Sequence, residues 1–143
     1  MTTKQSANIG MVGLKRAASA WAPVLGYMAL IFMLSAQPHL EPPTMFRVHD
    51  KLQHLAAYFA FGLIAFRGAI LLPVVGRPGP YVQSLLLGAL YGASDEYHQK
   101  FVAGRTASGL DWLADVAGVT AALVVICIIR NRRTNGGRWF GKV

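Results

Sequence analysis

Residues 17–36 read AASAWAPVLGYMALIFMLSA, a run of 20 residues without an acidic or basic side chain. A helix that crosses a bilayer needs about 20 predominantly apolar residues, so this run is long enough for one crossing. Three more apolar stretches follow, at residues 55–66, 81–94 and 110–129. The four stretches predict an all-α, polytopic membrane protein with four transmembrane helices.

The composition agrees with this interpretation and excludes several other classes of protein. Of the 143 residues, 54% are hydrophobic and 14% are charged, and the mean hydropathy is +0.40. A disordered chain has too few apolar residues to match these values. The single cysteine, Cys127, cannot form an intrachain disulfide, and no Cys/His pattern of a structural zinc site surrounds it. The short connections between the stretches leave no room for a separate soluble domain.

The apolar stretches divide the chain into three parts. These are a cytoplasmic N-terminal segment (residues 1–16), a four-helix membrane domain (17–129) and a basic cytoplasmic C-terminal tail (130–143). A cleavable signal peptide is the alternative for the first stretch, because Lys15-Arg16 precede it. The stretch is longer than a signal-peptide core, however, and Leu34-Ser35-Ala36 matches a cleavage site poorly. We therefore interpret it as a transmembrane helix.

The basic residues predict the orientation of the helices, because the cytoplasmic flanks of membrane proteins are enriched in Lys and Arg. With both termini in the cytoplasm, 10 of the 14 basic residues lie inside, and the other 4 lie outside with all 6 acids. The net charge of +8 then divides into +10 inside and −2 outside (10 − 2 = 8), which predicts an N-in/C-in topology. Basic residues that flank membrane spans do not indicate a nucleic-acid partner. The inner basic residues are Lys4, Lys15, Arg16, Arg67, Arg77, Arg130, Arg132, Arg133, Arg138 and Lys142, and the outer ones are Arg47, Lys51, Lys100 and Arg105.

The acids recur at helical spacing near the predicted outer ends of three helices. Residues four apart lie on one face of a helix, which places Asp50, His54 and Tyr58 in one column. Asp111 and Asp115 form a second column, and Asp115 lies one turn inside an apolar helix, where an ionisable group is costly unless it is paired. On the remaining helix, one face carries Tyr91, Asp95, His98 and Gln99. Because the topology brings these helix ends to one side, we expect them to line one cavity.

Structural roles are open alternatives for the same residues. Asp50 can be a helix N-cap, and Ser108 with Asp111 matches a capping box. Lys51 and Arg105 can pair with the acids of the fourth helix in a network that stabilises the fold without chemistry.

The order and spacing of these residues resemble the signature of the VanZ-like family, which is named for a teicoplanin-resistance protein. The resemblance covers about residues 30–118, and Ala103 stands where the family usually has proline. It implies a multi-pass protein of a bacterial-type cytoplasmic membrane and a connection with the cell envelope and antibiotic resistance. The matching motifs are Leu34-Ser35-Ala36-Gln37-Pro38, Asp50-Lys51-x-x-His54-x-x-x-Tyr58, Asp95-Glu96-x-x-Gln99-x-Phe101 and Gly104-Arg105-x-x-Ser108-x-x-Asp111-x-x-x-Asp115-x-x-Gly118.

The resemblance and the outward location together imply a site for a cell-envelope amphiphile, such as a lipid-linked precursor or a glycopeptide-related ligand. In one hypothesis the protein is an enzyme in which His54 is the general base or acid, oriented by Asp50 or Asp115. Lys51 and Arg105 would then hold an anionic headgroup. The residues expected to bind the ligand are Lys51, Tyr58, Asp95, Glu96, Gln99, Arg105, Ser108 and Asp111.

Two other function classes stay open. The same pocket could belong to a non-catalytic binding or accessory protein. A small transporter is disfavoured, because the polar residues are concentrated at one end of the predicted helices. Asp95 and Glu96 could hold a divalent cation through oxygen ligands, but the sequence has no dedicated metal-binding spacing and identifies no cofactor. The predicted partner is the lipid bilayer, and the sequence leaves the oligomeric state open.

Overall fold

Four α-helices make up the described part of the chain. The computed structural model describes the backbone of residues 3–38, 47–72 and 78–136, and the side chains of residues 13–38, 49–72 and 78–134. The described residues contain no β-strand, which confirms the predicted all-α fold. The helices are α1 (Thr3–Ser35), α2 (Arg47–Leu71), α3 (Pro80–Gln99) and α4 (Gly109–Gly136).

Three of these helices are long and apolar enough to cross a membrane. Their apolar segments are Gly13–Ser35 in α1, His49–Leu71 in α2 and Gly109–Thr134 in α4. α3 has 20 residues but is not among them, and its last turns carry the polar residues Asp95 and Glu96. The chain therefore has the fold of a helical membrane protein, while the crossing by α3 and the N-in/C-in orientation stay predictions.

The first and last helices of the chain, α1 and α4, extend beyond the predicted apolar stretches. α1 begins at Thr3, well before the first stretch, and α4 continues to Gly136, past the end of the fourth. Charge-free runs mark the part of a helix that can lie in hydrocarbon, whereas Lys and Arg are good helix formers that continue a helix into water. The segments 1–16 and 130–143 are thus helical where they are described, and residues 137–143 lie outside the described residues.

α2 lies at the centre of the fold. It packs against each of the other three helices, whereas α1 and α3 meet only briefly. The core between the helices includes the fully buried side chains of Val24, Tyr58, Phe61 and Val119. Many large apolar side chains outside this core are exposed, including Leu90. Contiguous exposed apolar surface marks a region that another apolar phase covers, as lipid does for a membrane helix.

Two glycines let α2 and α4 approach closely. A Cβ atom at Gly118 would overlap the carbonyl oxygen of Leu55, and one at Gly62 would lie 2.9 Å from the Cβ atom of Ala122. Small residues at a helix interface let the two backbones come together. This close contact brings the first turns of α2 and α4 side by side, and the polar residues of both helices meet there.

Candidate functional site

A buried histidine at this end of the bundle faces carboxylates from two other helices. His54 in α2 places its Nδ1 atom 2.9 Å from Oδ1 of Asp115 in α4 and 3.9 Å from Oε1 of Glu96 in α3. Asp115 is 0% exposed. Its carboxylate fits against α3 because residue 92 is glycine, where a Cβ atom would lie 2.9 Å from Oδ2 of Asp115. The expected meeting of the three helix ends is therefore observed.

Of the two carboxylates predicted to orient His54, Asp115 is the one in hydrogen-bonding contact with it. Asp50 lies in the first turn of α2, which begins at Arg47, so it is not the N-cap of that helix. One of its carboxylate oxygens instead lies 3.9 Å from a terminal guanidinium nitrogen of Arg105. Asp50 thus faces a cation of the loop rather than the backbone of its own helix.

The two basic side chains of the site face different helices. Nζ of Lys51 lies 2.5 Å from Oδ1 of Asp111. This ion pair joins α2 to α4, and it is one of the pairs that the sequence suggested. Arg105 lies in the loop between α3 and α4, and besides Asp50 its Nε donates to the carbonyl oxygen of Gln37 over 3.5 Å. The loop therefore turns Arg105 toward α1 and α2 rather than toward the acids of α4.

Asp95 is buried at the junction of α1 and α3. Its Oδ1 atom accepts a hydrogen bond from the hydroxyl group of Ser35 at 2.5 Å, and its Oδ2 atom accepts one from Nε2 of Gln99 at 3.2 Å. Ser35 was not among the site residues predicted from the sequence. The available signal was the Ser-Ala-Gln sequence at the end of the first helix, which is part of the family resemblance.

Glu96 binds the start of α4. Its Oε2 atom accepts a hydrogen bond of 2.7 Å from the backbone N–H of Ser108, the residue that precedes α4. In a capping box this N–H would bond to the side chain of Asp111, which here contacts Lys51. The capping-box alternative is therefore replaced by contacts between helices. Glu96 follows the apolar part of α3, and burial raises the pKa of its carboxyl group, while the hydrogen bond from Ser108 acts in the opposite direction.

A partly open cavity of about 590 Å³ lies beside this network. Apolar side chains of α1 and α2 form part of its lining, and two of them, Leu34 and Ala56, are exposed at the surface of the protein. The cavity thus joins ionisable groups to an apolar surface. Its polar lining includes Ser35, Asp50, His54, Tyr58, Asp95 and Arg105.

The predicted ligand-binding residues fall into two sets. Tyr58, Asp95 and Arg105 line the cavity, and the hydroxyl group of Tyr58 is buried without a hydrogen-bond partner among the described residues. The others lie outside the lining of this cavity. They support it through the contacts given above. They are Lys51, Glu96, Gln99, Ser108 and Asp111.

Two overlapping groups of side chains have the spacing of metal ligands. In the group of Asp50, His54 and Asp111, and in the group of His54, Glu96 and Asp115, the candidate ligand atoms lie within 4.8 Å of one another. The sequence left open a cation held by Asp95 and Glu96; in the structure both carboxylate oxygens of Asp95 accept hydrogen bonds from protein groups.

Comparison with known proteins relates the chain to a sequence family. The sequence profile of the family described as VanZ/LLP1 matches residues 15–130, a range that contains all of the site residues described above. Searches of curated proteins and of solved structures gave no match.

Proposed function

The chain belongs to the VanZ/LLP1 family, and from this membership and the geometry of the cavity we propose that the protein binds the headgroup of a cell-envelope amphiphile at the outer face of a bacterial cytoplasmic membrane. The proposed ligand class is a lipid-linked precursor, with a phosphate-bearing polar head on an apolar chain. A glycopeptide-related ligand that carries an acyl chain has the same amphiphilic character.

The amphiphilic lining of the cavity carries this proposal. Asp50, His54 and Arg105 can contact a polar head, while Leu34 and Ala56 continue the lining to the exposed apolar surface of α1 and α2. A headgroup in the cavity could therefore keep its apolar chain on the surface that faces lipid. Ligand sites combine apolar walls with a few polar groups that fix orientation, and this cavity has both.

Arg105 is the cation best placed to contact a phosphate. Its 3.9 Å separation from Asp50 exceeds the length of about 2.7–2.9 Å that is typical of a charge-assisted hydrogen bond. Lys51, in contrast, lies 2.5 Å from Asp111. The planar guanidinium group binds phosphate through two parallel N–H donors, so Arg105 can exchange its long contact with Asp50 for a ligand.

The contacts support binding without assigning a reaction. The pair of His54 and Asp115 has the arrangement in which a carboxylate orients an imidazole for proton transfer, and the catalytic roles predicted for His54, Asp50 and Asp115 stay predictions. The described ionisable residues near the cavity belong to one end of the bundle, which favours binding at a membrane surface over transport through the bilayer.

The Arg105→Ala variant tests the proposed binding. Purified protein in detergent micelles is titrated with a polyprenyl phosphate, and binding is measured as the shift in melting temperature. A hydrogen bond to a charged group contributes about 1.5–3 kcal/mol, and 1.4 kcal/mol corresponds to tenfold in affinity, so we expect at least about tenfold weaker binding.

Two controls isolate the phosphate contact. Lys100→Ala removes the same charge from the same end of the molecule, but Lys100 is exposed and lies over the ring of Tyr97 rather than in the cavity. The neutral polyprenol of the same chain length measures binding through the apolar chain alone. Equal affinities for phosphate and alcohol, or equal losses in the two variants, would contradict the proposal.

A further inference from the structure

We propose that His54, Glu96 and Asp115 form a binding site for a divalent transition-metal ion. The ligand atoms are the Nδ1 atom of the imidazole and one oxygen from each carboxylate, and α2, α3 and α4 contribute one ligand each. The site adds a metal to the proposed function without depending on which amphiphile the cavity binds.

The spacing of the three side chains fits a metal ion. Metal–nitrogen and metal–oxygen bonds of about 2.0–2.2 Å place the ligand atoms of a tetrahedral site about 3.4 Å apart. The two observed separations from Nδ1 of His54, 2.9 Å to Asp115 and 3.9 Å to Glu96, lie on either side of this value. All three candidate ligand atoms lie within 4.8 Å of one another, so no separation exceeds the tetrahedral value by more than about 1.4 Å, a difference that side-chain rotations can close.

Two buried carboxylate oxygens without a hydrogen-bond donor are an independent sign that this group binds a cation. Oε1 of Glu96 and Oδ2 of Asp115 are buried, and neither accepts a hydrogen bond from the residues that the structure describes. The side chain of Glu96 is 9% exposed, and its unsatisfied oxygen is directed toward Nδ1 of His54. Buried polar atoms in native proteins nearly always have a partner, and a bound ion is one of the standard explanations for an exception.

The charges of His54, Glu96 and Asp115 also favour a bound metal ion. Glu96 and Asp115 are two buried carboxylates, and His54 is the only basic side chain that contacts them among the described residues. Buried charges are costly unless they are paired or bind a metal. A dication with two carboxylates and a neutral imidazole is electrically neutral, which removes this cost without requiring a proton on either acid.

The overlapping group of Asp50, His54 and Asp111 is the weaker candidate. Its acids already face cations, because Lys51 lies 2.5 Å from Asp111 and Arg105 lies 3.9 Å from Asp50. A metal ion there would have to displace both cations. The group that contains Glu96 and Asp115 has no such competitor in the described part of the chain.

The ligand set indicates the class of metal. An imidazole with two carboxylates suits Zn²⁺, Mn²⁺ or Fe²⁺ better than Ca²⁺ or Mg²⁺, which prefer oxygen ligands alone. Three protein ligands leave at least one coordination position for water or a bound ligand, as in catalytic metal sites. In this assignment His54 is a metal ligand, and the general-base role predicted from the sequence does not apply to it.

Metal uptake by the purified full-length protein tests the site. The protein is purified without a polyhistidine tag, stripped with a chelator and titrated with Co²⁺, Zn²⁺ or Mn²⁺, and binding is measured by elemental analysis and by the visible spectrum of Co²⁺. We expect about one ion per chain for the wild type. Because even changes to groups that support a metal ligand lower affinity about 10–100-fold, we expect Glu96→Gln to lower it at least tenfold.

The matched control is Asp50→Asn, which removes a carboxylate from the same end of the molecule and from the overlapping group of Asp50, His54 and Asp111. It should bind metal as the wild type does. Absence of specific uptake by the wild type, unchanged affinity in Glu96→Gln, or an equal loss in Asp50→Asn would each overturn the proposal. Absence of uptake would indicate that protons neutralise the carboxylates, and unchanged affinity in Glu96→Gln would indicate that the ion binds without Glu96. An equal loss in Asp50→Asn would indicate that the site is not confined to His54, Glu96 and Asp115.

A second variant covers the case in which Glu96→Gln does not fold. In a Cys127→Ser background, Glu96→Cys should give an intense thiolate-to-Co²⁺ absorption band only if the side chain at position 96 binds the metal. A folded variant that takes up Co²⁺ without this band would also overturn the assignment. Metal uptake is measured without lipid, and the polyprenyl phosphate titration can be repeated in chelator, so failure of one proposal is distinguishable from failure of the other.

Discussion

Asp95 shows how this protein accommodates an acidic group that is 3% exposed. Both carboxylate oxygens accept a hydrogen bond, one from Ser35 of α1 and one from Gln99 of α3. The contact with Ser35 also links the end of α1 to the buried part of the site. Because a buried acceptor without its donor is costly, this hydroxyl group should matter more than its size suggests.

We predict that Ser35→Ala destabilises the folded protein. The change leaves Oδ1 of Asp95 without its donor at 2.5 Å, and an unsatisfied buried acceptor costs about 1–3 kcal/mol. The measurement is the free energy of unfolding in detergent micelles, obtained from denaturant titrations followed by circular dichroism.

Ser94→Ala is the matched control, because Ser94 is exposed and its hydroxyl group donates to the carbonyl oxygen of Tyr91 within the same helix. Its loss should change the free energy of unfolding by less than about 0.5 kcal/mol, which is usual for a surface substitution. If the two serine variants were equally stable, the contact between Ser35 and Asp95 would have no energetic role.

For individual residues, the sequence predicted which side chains share a face of one helix. It did not predict all of their partners on neighbouring helices. The four-residue spacing correctly placed Asp50 and His54 on one side of a helix, and Asp111 and Asp115 on one side of another. The same spacing says nothing about how two helices are rotated against each other. The hydrogen bond from Ser35, which is 60 residues from Asp95 in the chain, therefore emerges only from the packed structure.

At the level of helices, α1 contains an interior proline, and a side chain of α2 replaces the hydrogen bond that this proline removes. Pro23 has no N–H group, so the carbonyl oxygen of Ser19, four residues earlier, has no helical donor. The guanidinium group of Arg67 in α2 donates to this oxygen over 3.0 Å. Arg67 is one of the basic residues predicted to lie on the inner side, and in the structure it has this additional role.

We predict that the stabilising effect of Arg67 depends on Pro23. Arg67→Ala should destabilise the protein by about 1 kcal/mol, because it leaves the carbonyl oxygen of Ser19 without a donor. In a Pro23→Ala background the backbone N–H at position 23 can bond to that oxygen, so the same change should cost less. A double-mutant cycle on the free energy of unfolding measures the coupling.

Arg132→Ala is the control for this cycle, because Arg132 is an exposed basic residue of α4 distant in sequence from the proline. Its effect should be additive with Pro23→Ala. A cost of Arg67→Ala that is the same in both backgrounds would show that its contact with Ser19 does not compensate for the proline.

The elements themselves were predictable in number, order and type, because each contains a long apolar run. Their ends were not, because a helix that leaves the membrane continues for as long as its residues favour helix. The central position of α2 was also not predictable from its composition. It depends on close approaches such as that of Gly118 to the backbone of Leu55, which hydropathy does not describe.

For the whole molecule, charge distinguishes the two ends of the bundle. Every acidic residue whose side chain the structure describes belongs to the polar site or lines its cavity. The described basic residues Lys15 and Arg16 precede the charge-free run of residues 17–36 in α1, and Arg130, Arg132 and Arg133 follow the apolar stretch of residues 110–129 in α4. Because basic residues are retained on the cytoplasmic side, this distribution predicts that the polar site faces outward.

We predict that a cysteine in the loop between α3 and α4 is accessible from outside the cell. In a Cys127→Ser background, single substitutions Gly79→Cys, Ala103→Cys and Thr134→Cys introduce a thiol before α3, after α3 and near the end of α4, all at exposed positions. A membrane-impermeant maleimide should label Ala103→Cys in intact bacterial cells. The other two should react only after the membrane is permeabilised.

The pair Gly79→Cys and Ala103→Cys also tests whether α3 crosses the bilayer, since these positions flank that helix. Labelling of both from the same side would show that α3 does not cross, and the prediction of four transmembrane helices would then be wrong. Labelling of Thr134→Cys but not of Ala103→Cys in intact cells would show that the topology is the reverse of the predicted one. The cavity would then face the cytoplasm, and its amphiphile would have to be a lipid of the inner leaflet, so the orientation determines which envelope lipids can reach Arg105.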